Sequence, residues 1–269
     1  MKVIVSHDVD HLFRDDHYFD LIYPKLWIRE SLNRIKGHIG SKEWKARMLS
    51  PFQKNRNHID ELMVFEKMYL VPSTFFFGMA KGLGMSYKPE KAIPVIRRVR
   101  ENGFEVGIHG INFKDYGHIK NEFDKFNKLI GQCAQGIRMH YVRYDRDTFT
   151  KLSDCGYLVD SSEFDKSMGT CIKSPYKVGK LWEFPLTIMD VYLPYPFDKA
   201  KERTLELLET AQKNRTEYVT ILFHDYLYCD AWIQRKKWFE WLIKYLASST
   251  SYEFISFIEA VRELEKGHE

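Results

Sequence analysis

The chain has 269 residues, a length that is typical of one α/β barrel and greater than a single β-sandwich requires. Hydrophobic residues make up 44% and charged residues 29%, which excludes a disordered or a fibrous chain. The net charge of +4 is small, so we expect a solvated surface of mixed charge and no nucleic acid as partner. We therefore expect one domain that spans residues 1–269.

Export and membrane signals are missing from the printed sequence. The first apolar run starts at position 3 without a preceding secretory leader, and no apolar run approaches the roughly 18 residues of a membrane span. The four cysteines are scattered and form no CxxC pair. We expect a cytoplasmic protein whose cysteines are reduced thiols, since a structural zinc site needs closely spaced ligands.

Short apolar runs alternate with helical patterns along the sequence. The predicted strands are 2–6, 73–79, 105–109, 136–142, 158–160, 182–187, 219–223 and 253–256. The predicted helices are 57–69, 89–102, 119–131, 145–155, 198–213, 232–248 and 257–266. This alternation predicts parallel strands joined by crossover helices. Seven or eight such units favour a distorted or incomplete (β/α) barrel over a doubly wound sheet.

A long segment at about 12–52 interrupts this alternation after the first strand and is rich in basic and aromatic residues. An insertion between a strand and the next helix lies on the carboxyl-end face of a barrel, where substrates bind. It is either a lid or platform for the substrate or a helical decoration with a solvated basic face. The sequence leaves both interpretations open.

The first strand ends in SHDVDH at positions 6–11, which places several ionisable side chains at the predicted catalytic rim. Asp8 and Asp10 repel each other unless a cation or a hydrogen-bond donor lies between them. One of them can bind a metal ion while the other accepts a proton from water. The alternative is a helix-capping aspartate with incidental neighbours.

Three more predicted strands end in, or contain, groups able to do chemistry. His109 leaves an apolar run beside a glycine and can bind a metal, although a lone histidine is more often satisfied by a backbone carbonyl. Arg138 lies inside an apolar strand and needs a carboxylate, for which Asp8 is the natural candidate; a salt bridge elsewhere is the alternative. His224 follows a buried strand and can act as a general acid.

The order of these groups resembles the polysaccharide deacetylase (NodB-homology) family: an aspartate pair, a histidine, an arginine and a late histidine, each at a strand end. The runs STFFF at 73–77 and GFEVG at 103–107 are similar to the family's second strand and to the approach to its histidine motif. The resemblance extends from about residue 3 to residue 257. The HDVD opening resembles that of an uncharacterised subgroup associated with surface-polysaccharide gene clusters.

The resemblance implies a role for each of these residues. Asp8 matches the catalytic base and Asp10 the metal-binding aspartate, although the family's two aspartates are adjacent and Val9 intervenes here. His109 matches the first histidine ligand. Arg138 matches the arginine that orients the base, and His224 matches the catalytic acid. The fold that the resemblance implies is a distorted, incomplete (β/α) barrel.

The family's second histidine ligand has no counterpart, because Phe113 occupies its position. Substitutes nearby are His7, His11, Asp115, His118 and Asp8. We favour Asn112, because one helical turn after His109 would place both side chains on one face. The expected cofactor is a divalent metal, with zinc first and manganese, cobalt or nickel as alternatives.

Positions 140 and 141 complete the predicted site. We expect His140 and Tyr141 to bind the substrate, with a backbone N–H near Tyr141 stabilising the oxyanion.

The predicted function is that of a metal-dependent hydrolase. It would remove an acyl group, with acetyl expected, from an N-acylated amino sugar that is free, nucleotide-linked, lipid-linked or polymeric, in surface-polysaccharide biosynthesis. One alternative is a hydrolase of another C–N or ester bond. Another, motivated by Phe113, is a catalytically decayed protein for carbohydrate binding or assembly. A nucleic-acid binder ranks lower, since the basic insertion carries no recognised motif.

Overall fold

A computed structural model describes residues 1–53 and 56–267. The strands are β1 (Lys2–Val9), β2 (Thr74–Gly78), β3 (Glu105–Gly110), β4 (Gly136–Met139), β5 (Val159–Asp160), β6 (Tyr176–Val178), β7 (Leu181–Glu183), β8 (Leu186–Met189), β9 (Tyr218–Leu222) and β10 (Glu253–Phe254). The helices are α1 (Ile22–Ile35), α2 (Ser41–Leu49), α3 (Ile59–Lys67), α4 (Pro89–Glu101), α5 (Tyr116–Ile130), α6 (Thr148–Cys155), α7 (Phe197–Lys213), α8 (Ile233–Ala247) and α9 (Phe257–Lys266). No helix in these ranges is long and apolar enough to cross a membrane.

The strands form one curled sheet in the order β6-β7-β5-β4-β3-β2-β1-β9-β8, and β10 pairs with the start of β1. All pairs are parallel except the β6–β7 hairpin. Short β-branched and aromatic runs that are buried on both faces form such a sheet, because the crossover helices cover them. The predicted incomplete (β/α) barrel is confirmed.

Alternate residues of each strand face opposite sides of the sheet. Val3 and Val5 pack into the large cluster beneath the surrounding helices, whereas Ile4 packs with Phe76 inside the barrel. The interior is narrow at β3, where a Cβ on Gly107 would lie 2.6 Å from the Phe76 ring. Even positions of β1 therefore face the barrel interior, which decides where the acidic residues at its end point.

Two predicted strands end earlier than the apolar pattern indicated. The run 136–142 stops being a strand at Met139 and continues as a 3-10 turn, in which Tyr141 has φ +60°. The run 182–187 is two strands, β7 and β8, since it breaks at Phe184 and Pro185 and proline cannot donate to a sheet ladder. The first change moves His140 and Tyr141 from a predicted strand to a turn at the barrel rim.

The inserted segment folds as α1 and α2 and is anchored to the barrel by Arg47. The Arg47 guanidinium pairs with Glu30 and with Glu43, and it donates from Nε to the Ala231 carbonyl at 2.9 Å. It also lies 3.8 Å from the centre of the Trp232 ring. Buried ion pairs of this kind fix the relative position of their elements, so α1 has a defined place against the rim beside α8.

Candidate metal centre and catalytic site

The carboxyl ends of β1, β3, β4 and β9 meet at one cavity of about 560 Å³. The predicted residues Asp8, Asp10, His109, His140 and His224 all line it. Asp8 and Asp10 come from the end of β1, and the three histidines come from three other strand ends, which the parallel register brings to the same rim. This cavity is therefore the candidate functional site.

His7 has no part in this site, as its odd position in β1 requires. Its ring is fully buried on the helix-covered face, with Nδ1 2.8 Å from the Phe223 carbonyl and Nε2 2.7 Å from Glu66 Oε1. Both nitrogens are thus occupied. Asp8 and Asp10, two residues apart, share the opposite face.

Three ligand atoms meet at the rim: Asp10 Oδ1, His109 Nε2 and His140 Nδ1. The oxygen lies 3.3 Å from each nitrogen, and the two nitrogens are 2.9 Å apart. Ligands of a tetrahedral zinc ion with bonds of about 2.0–2.1 Å are separated by about 3.3 Å. The spacing of this triangle, and its two-imidazole, one-carboxylate composition, fit a divalent transition metal.

In each imidazole, the outer nitrogen faces away from Asp10 and the inner nitrogen faces it. The partner of the outer nitrogen determines which of the two carries the hydrogen. His109 Nδ1 lies 3.0 Å from the Arg138 carbonyl, and His140 Nε2 lies 3.2 Å from the Leu83 carbonyl. A carbonyl only accepts, so each outer nitrogen carries the hydrogen. The inner nitrogens, His109 Nε2 and His140 Nδ1, face each other and Asp10. A cation between them would contact all three atoms, and outer carbonyls are the usual support of a metal-binding histidine.

Asp10 is ionised in this environment. Burial raises its pKa, but the adjacent His109 and His140 rings, the charge of His140 and the charge of His224 lower it well below the ordinary value. Its Oδ1 is buried and lies 3.3 Å from each inner nitrogen. An ionised carboxylate beside two imidazole nitrogens can serve as a metal ligand.

Asn112, the predicted third ligand, has a different environment. That prediction assumed a helical turn directly after His109, and this premise is wrong, because β3 continues to Gly110 and α5 begins only at Tyr116. Asn112 Oδ1 accepts from the backbone N–H groups of Lys114, at 3.1 Å, and Asp115, at 2.9 Å. Its carbonyl oxygen therefore stabilises the turn into α5.

The other substitutes near Phe113 also lie elsewhere. Asp115 caps α5 and contacts the His118 ring at 2.9 Å, and both side chains are largely exposed. Phe113 packs against the hydrophobic core, with the Arg143 guanidinium 5.1 Å from its ring centre. His140 from the end of β4 occupies the metal-facing position in space, although sequence reasoning assigned it to the substrate.

Arg138 lies fully buried behind Asp8. Its Nη1 is 3.1 Å from Asp8 Oδ1, and its Nε donates to the Ser161 carbonyl at 2.8 Å, so the predicted pairing with Asp8 is present. The second Asp8 oxygen, Oδ2, faces His109 Nε2 at 3.6 Å. One oxygen of Asp8 is thereby fixed by the guanidinium, and the other borders the candidate metal centre.

A second acidic pair, Asp160 and Glu183, is buried close to Arg138. Glu183 Oε1 accepts from the backbone N–H groups of Ser162, at 3.1 Å, and Glu163, at 2.8 Å. Burial raises the pKa of both carboxyls, and the charge of Asp160 raises that of Glu183 further, well above its usual range. The pair therefore keeps a proton, held on Glu183, while the Arg138 charge favours ionised Asp160.

This proton makes folding stability depend on pH. The folded-state pKa of Glu183 is raised, so its contribution is complete below the unfolded pKa of about 4.3 and is lost as pH rises toward the folded value. Glu183→Gln cannot ionise, and its free energy of unfolding relative to the unmodified protein should rise from pH 5 to pH 8. Urea unfolding at pH 5 and pH 8 measures these free energies, and Glu101→Gln, at an exposed position, is the control. If the free energy of unfolding changes equally with pH in all three proteins, the prediction is wrong.

His224 is bound to Asp190, which sequence reasoning did not assign to the site. Nδ1 lies 2.9 Å from Asp190 Oδ1, and the His224 backbone N–H donates to Oδ2 at 2.5 Å. Burial lowers the pKa of His224, but Asp190, Asp10 and Asp8 together raise it to about 10. The imidazole is therefore protonated near neutral pH, with Nε2 facing Asp10 Oδ2 at 3.8 Å. The available signal was a carboxylate that ends the apolar run 186–189.

Tyr141 also lines the cavity, beside the His140 ring. Its hydroxyl donates to the Leu83 carbonyl at 3.1 Å, and 58% of the residue is exposed. Tyr141 and Val142 both have positive φ, +60° and +45°, which is unfavourable for non-glycine residues and for β-branched valine in particular. The strained turn lies next to the candidate metal centre, where the predicted oxyanion N–H would be; that role remains a prediction.

Neither family models nor curated proteins give a match to this chain. Solved structures do. A putative polysaccharide deacetylase from Mycobacterium smegmatis superposes with a TM-score of 0.69, at 16% identity, over 99% of this chain and 91% of its own. A probable polysaccharide deacetylase from Pseudomonas aeruginosa PAO1 gives 0.61 at 15% identity, with the same coverages. The chain has the polysaccharide deacetylase fold.

The same fold also occurs in an enzyme of a different name. The allantoinase PuuE superposes with a TM-score of 0.62 at 14% identity, over 99% of this chain and 91% of its own. At such identities the polysaccharide deacetylase fold is shared while the substrate is not determined, because function depends on the site and not on the fold. The assignment of activity therefore depends on the side chains at the rim.

Proposed function

We propose that the protein is a metal-dependent hydrolase that removes an acyl group, acetyl in the first place, from an N-acylated amino sugar. The observation that carries the proposal is the close approach of Asp10 Oδ1, His109 Nε2 and His140 Nδ1, which lie 2.9–3.3 Å from one another. Zinc is the proposed metal, with manganese, cobalt and nickel as alternatives. Asp10, His109 and His140 would hold it, and three protein ligands leave a position for substrate or water.

The bound cation would act as a Lewis acid and lower the pKa of water. Asp8, whose Oδ2 faces the centre, accepts the proton of the attacking water, while Arg138 holds its other oxygen in place. Protonated His224 donates its Nε2 proton to the departing amine nitrogen, and Asp190 stabilises the charged ring. A backbone N–H near Tyr141 would stabilise the oxyanion. Base and acid thus border the cavity from β1 and β9.

Metal analysis followed by an acetate-release assay tests the proposal. We expect the purified protein to bind about one equivalent of zinc and to release acetate from N-acetylglucosamine oligosaccharides or from nucleotide-linked N-acetylglucosamine. Chelation should abolish turnover, and added zinc, manganese or cobalt should restore it. A protein that remains metal-free in excess of all three ions contradicts the hydrolase proposal and favours a decayed scaffold.

A second candidate is the hydrolysis of another C–N bond in a small molecule, which the fold shared with an allantoinase supports. The same metal and the same acid–base pair would serve it, since an amide carbonyl reacts in both cases. Metal binding without acetate release from any amino sugar, together with turnover of a cyclic or linear ureide, would favour this candidate.

We also propose that the reaction takes place in the cytoplasm. The cysteines Cys133, Cys155, Cys171 and Cys229 are free, as expected of a protein that folds in a reducing compartment. Cell fractionation tests this proposal, and recovery of the protein outside the cytoplasm would contradict it.

A further inference from the structure

Arg56 lines the cavity as a buried cation without an acidic partner among residues 1–53 and 56–267. Only 8% of the residue is exposed, and its Nε is buried without a hydrogen-bond acceptor in these ranges. The Tyr23 ring, with its centre 5.7 Å away, is the aromatic face that it contacts. Burial of a guanidinium without a carboxylate is costly, so the group needs an anion that the described residues do not supply.

None of the described acidic side chains nearby forms an ion pair with Arg56. Asp20, which also lines the cavity, accepts from Ser86 and from the Ile22 backbone N–H, and its Oδ2 lies 2.6 Å from His17 Nδ1. Asp225 Oδ2 accepts from the His58 backbone N–H at 3.2 Å, its Oδ1 is buried without a partner in the described ranges, and the residue acts on Arg56 only from beyond ion-pair distance. Asp8 and Asp10 belong to the catalytic centre. The charge of Arg56 is thus open to a ligand.

Helix α1 adds two further cations to the same wall. Ile22, Lys25, Leu26 and Arg29 line the cavity, and their spacing of three, four and seven residues places them on one face of the helix. Lys25 forms no ion pair among the described residues, while Arg29 contacts Glu30, which is shared with Arg47. The inserted segment therefore turns a basic face toward the cavity.

Aromatic rings connect this wall with the catalytic centre. The His224 and Tyr226 ring centres are 5.8 Å apart, and the Tyr226 and His11 ring centres are 5.2 Å apart. His11 lines the cavity and is partly buried, and its buried Nδ1 has no partner within the described ranges. Aromatic faces suit sugar rings. A ligand with its amide at the metal-binding side chains can lay a sugar across these rings and place a substituent beside Arg56.

We propose that Arg56, Lys25 and Arg29 form a subsite for an anionic group, a phosphate or a carboxylate, that is covalently attached to the amino sugar. This inference rests on the proposed function for the identity of the sugar. The planar guanidinium of Arg56 would bind two oxygens of the anion, and Lys25 and Arg29 would add charge at the mouth of the cavity. The inserted segment thereby selects charged over neutral substrates.

Binding and turnover of matched ligands test the subsite. The probes are neutral N-acetylglucosamine, N-acetylglucosamine 1-phosphate, and a disaccharide of N-acetylglucosamine with glucuronate. Calorimetry on the zinc-loaded protein should give at least one of the two anionic probes a dissociation constant about 10-fold or more below that of the neutral sugar. Whichever of the two binds more tightly identifies phosphate or carboxylate as the group. Raised salt should reduce the preference.

The variants are Arg56→Gln, Arg56→Lys and Lys25→Gln, with Lys36→Gln as the control. Lys36 follows α1, is exposed and lies outside the cavity lining, so its substitution removes the same charge from the same segment. Arg56→Gln should abolish the preference for the anion, Arg56→Lys should retain part of it, Lys25→Gln should reduce it several-fold, and Lys36→Gln should leave it unchanged. If Arg56→Gln does not fold, the preference for the anion is measured in Lys25→Gln instead, because Lys25 is exposed.

Equal binding of neutral and anionic probes, or a preference that survives both Arg56→Gln and Lys25→Gln, overturns the subsite. Acetate release is measured in parallel on all three probes. If acetate is released but neither anionic probe is preferred over the neutral sugar, the proposed function is supported and the subsite is contradicted. A preference lost in Arg56→Gln, without acetate release from any probe, keeps the subsite and contradicts the deacetylase.

Discussion

Replacing His140 with alanine is expected to weaken the binding of a divalent cation by more than about 100-fold. Loss of an outer partner of a metal ligand already costs about 10–100-fold in affinity, and a direct ligand contributes more. His140 Nδ1 is one of only three His, Asp, Glu or Cys ligand atoms in the candidate centre as described. Competition against a chromogenic zinc chelator measures the dissociation constant, and zinc content after dialysis gives a second reading.

Asn112→Ala is the matched control for this experiment. Asn112 lies three residues after His109, and its Oδ1 holds the turn before α5. Its removal should lower stability modestly, by about 0.5–2 kcal/mol, as for other side chains that cap a helix or a turn. Metal affinity should stay unchanged. If Asn112→Ala loses the metal while His140→Ala retains it, the ligand set proposed here is wrong and the sequence-based choice is correct.

Asp8→Asn is expected to lower turnover by at least about 100-fold with zinc still bound. An amide cannot accept the proton of the attacking water, and general base catalysis contributes about 10²–10⁴-fold. The introduced amide would keep a carbonyl oxygen for Arg138 Nη1, so the geometry of the pair is largely preserved. Initial rates of acetate release, divided by the zinc-loaded protein concentration, measure the effect.

Stability must be measured beside activity in this variant, because only 3% of Asp8 is exposed. The buried guanidinium of Arg138 loses the carboxylate with which it forms an ion pair, and this loss destabilises the fold. Asp15→Asn, an exposed aspartate paired with Lys91, is the control for a carboxylate lost at the surface. Full turnover in folded, zinc-loaded Asp8→Asn would remove Asp8 from the role of base.

The barrel and most of the site residues follow from local pattern. A parallel strand buried on both faces must be a short apolar run, and the polar group that ends such a run lies at the carboxyl-end rim. Asp8, Asp10, His109 and His224 were identified in this way, and the period of two in β1 separated His7 from the two aspartates. Arg138 was recognisable because a buried guanidinium requires a carboxylate.

The choice of metal ligands was not available from the same reasoning. Asn112 was selected by its distance along the chain from His109, on the assumption of a helical turn, whereas β3 continues to Gly110. His140 lies at the candidate metal centre for two reasons. Strand β4 pairs with β3, and β4 ends at Met139, so that His140 begins the turn at the rim. Strand β4 ends three residues earlier than predicted. As a result His140, which was predicted to contact the substrate, is a candidate metal ligand.

The sequence by itself therefore determined most of the alternation of strands and helices, the face of β1 on which Asp8 and Asp10 lie, and most of the ionisable residues at the rim. The apolar periodicity that indicates which residues are buried is a local property, because it involves residues a few positions apart in the sequence. Only the tertiary structure decided which of those residues meet, since the contacts join distant positions: His109 with His140 across 31 residues, His224 with Asp190 across 34, and Asp8 with Arg138 across 130. Such distances depend on strand order and register, which no local pattern encodes.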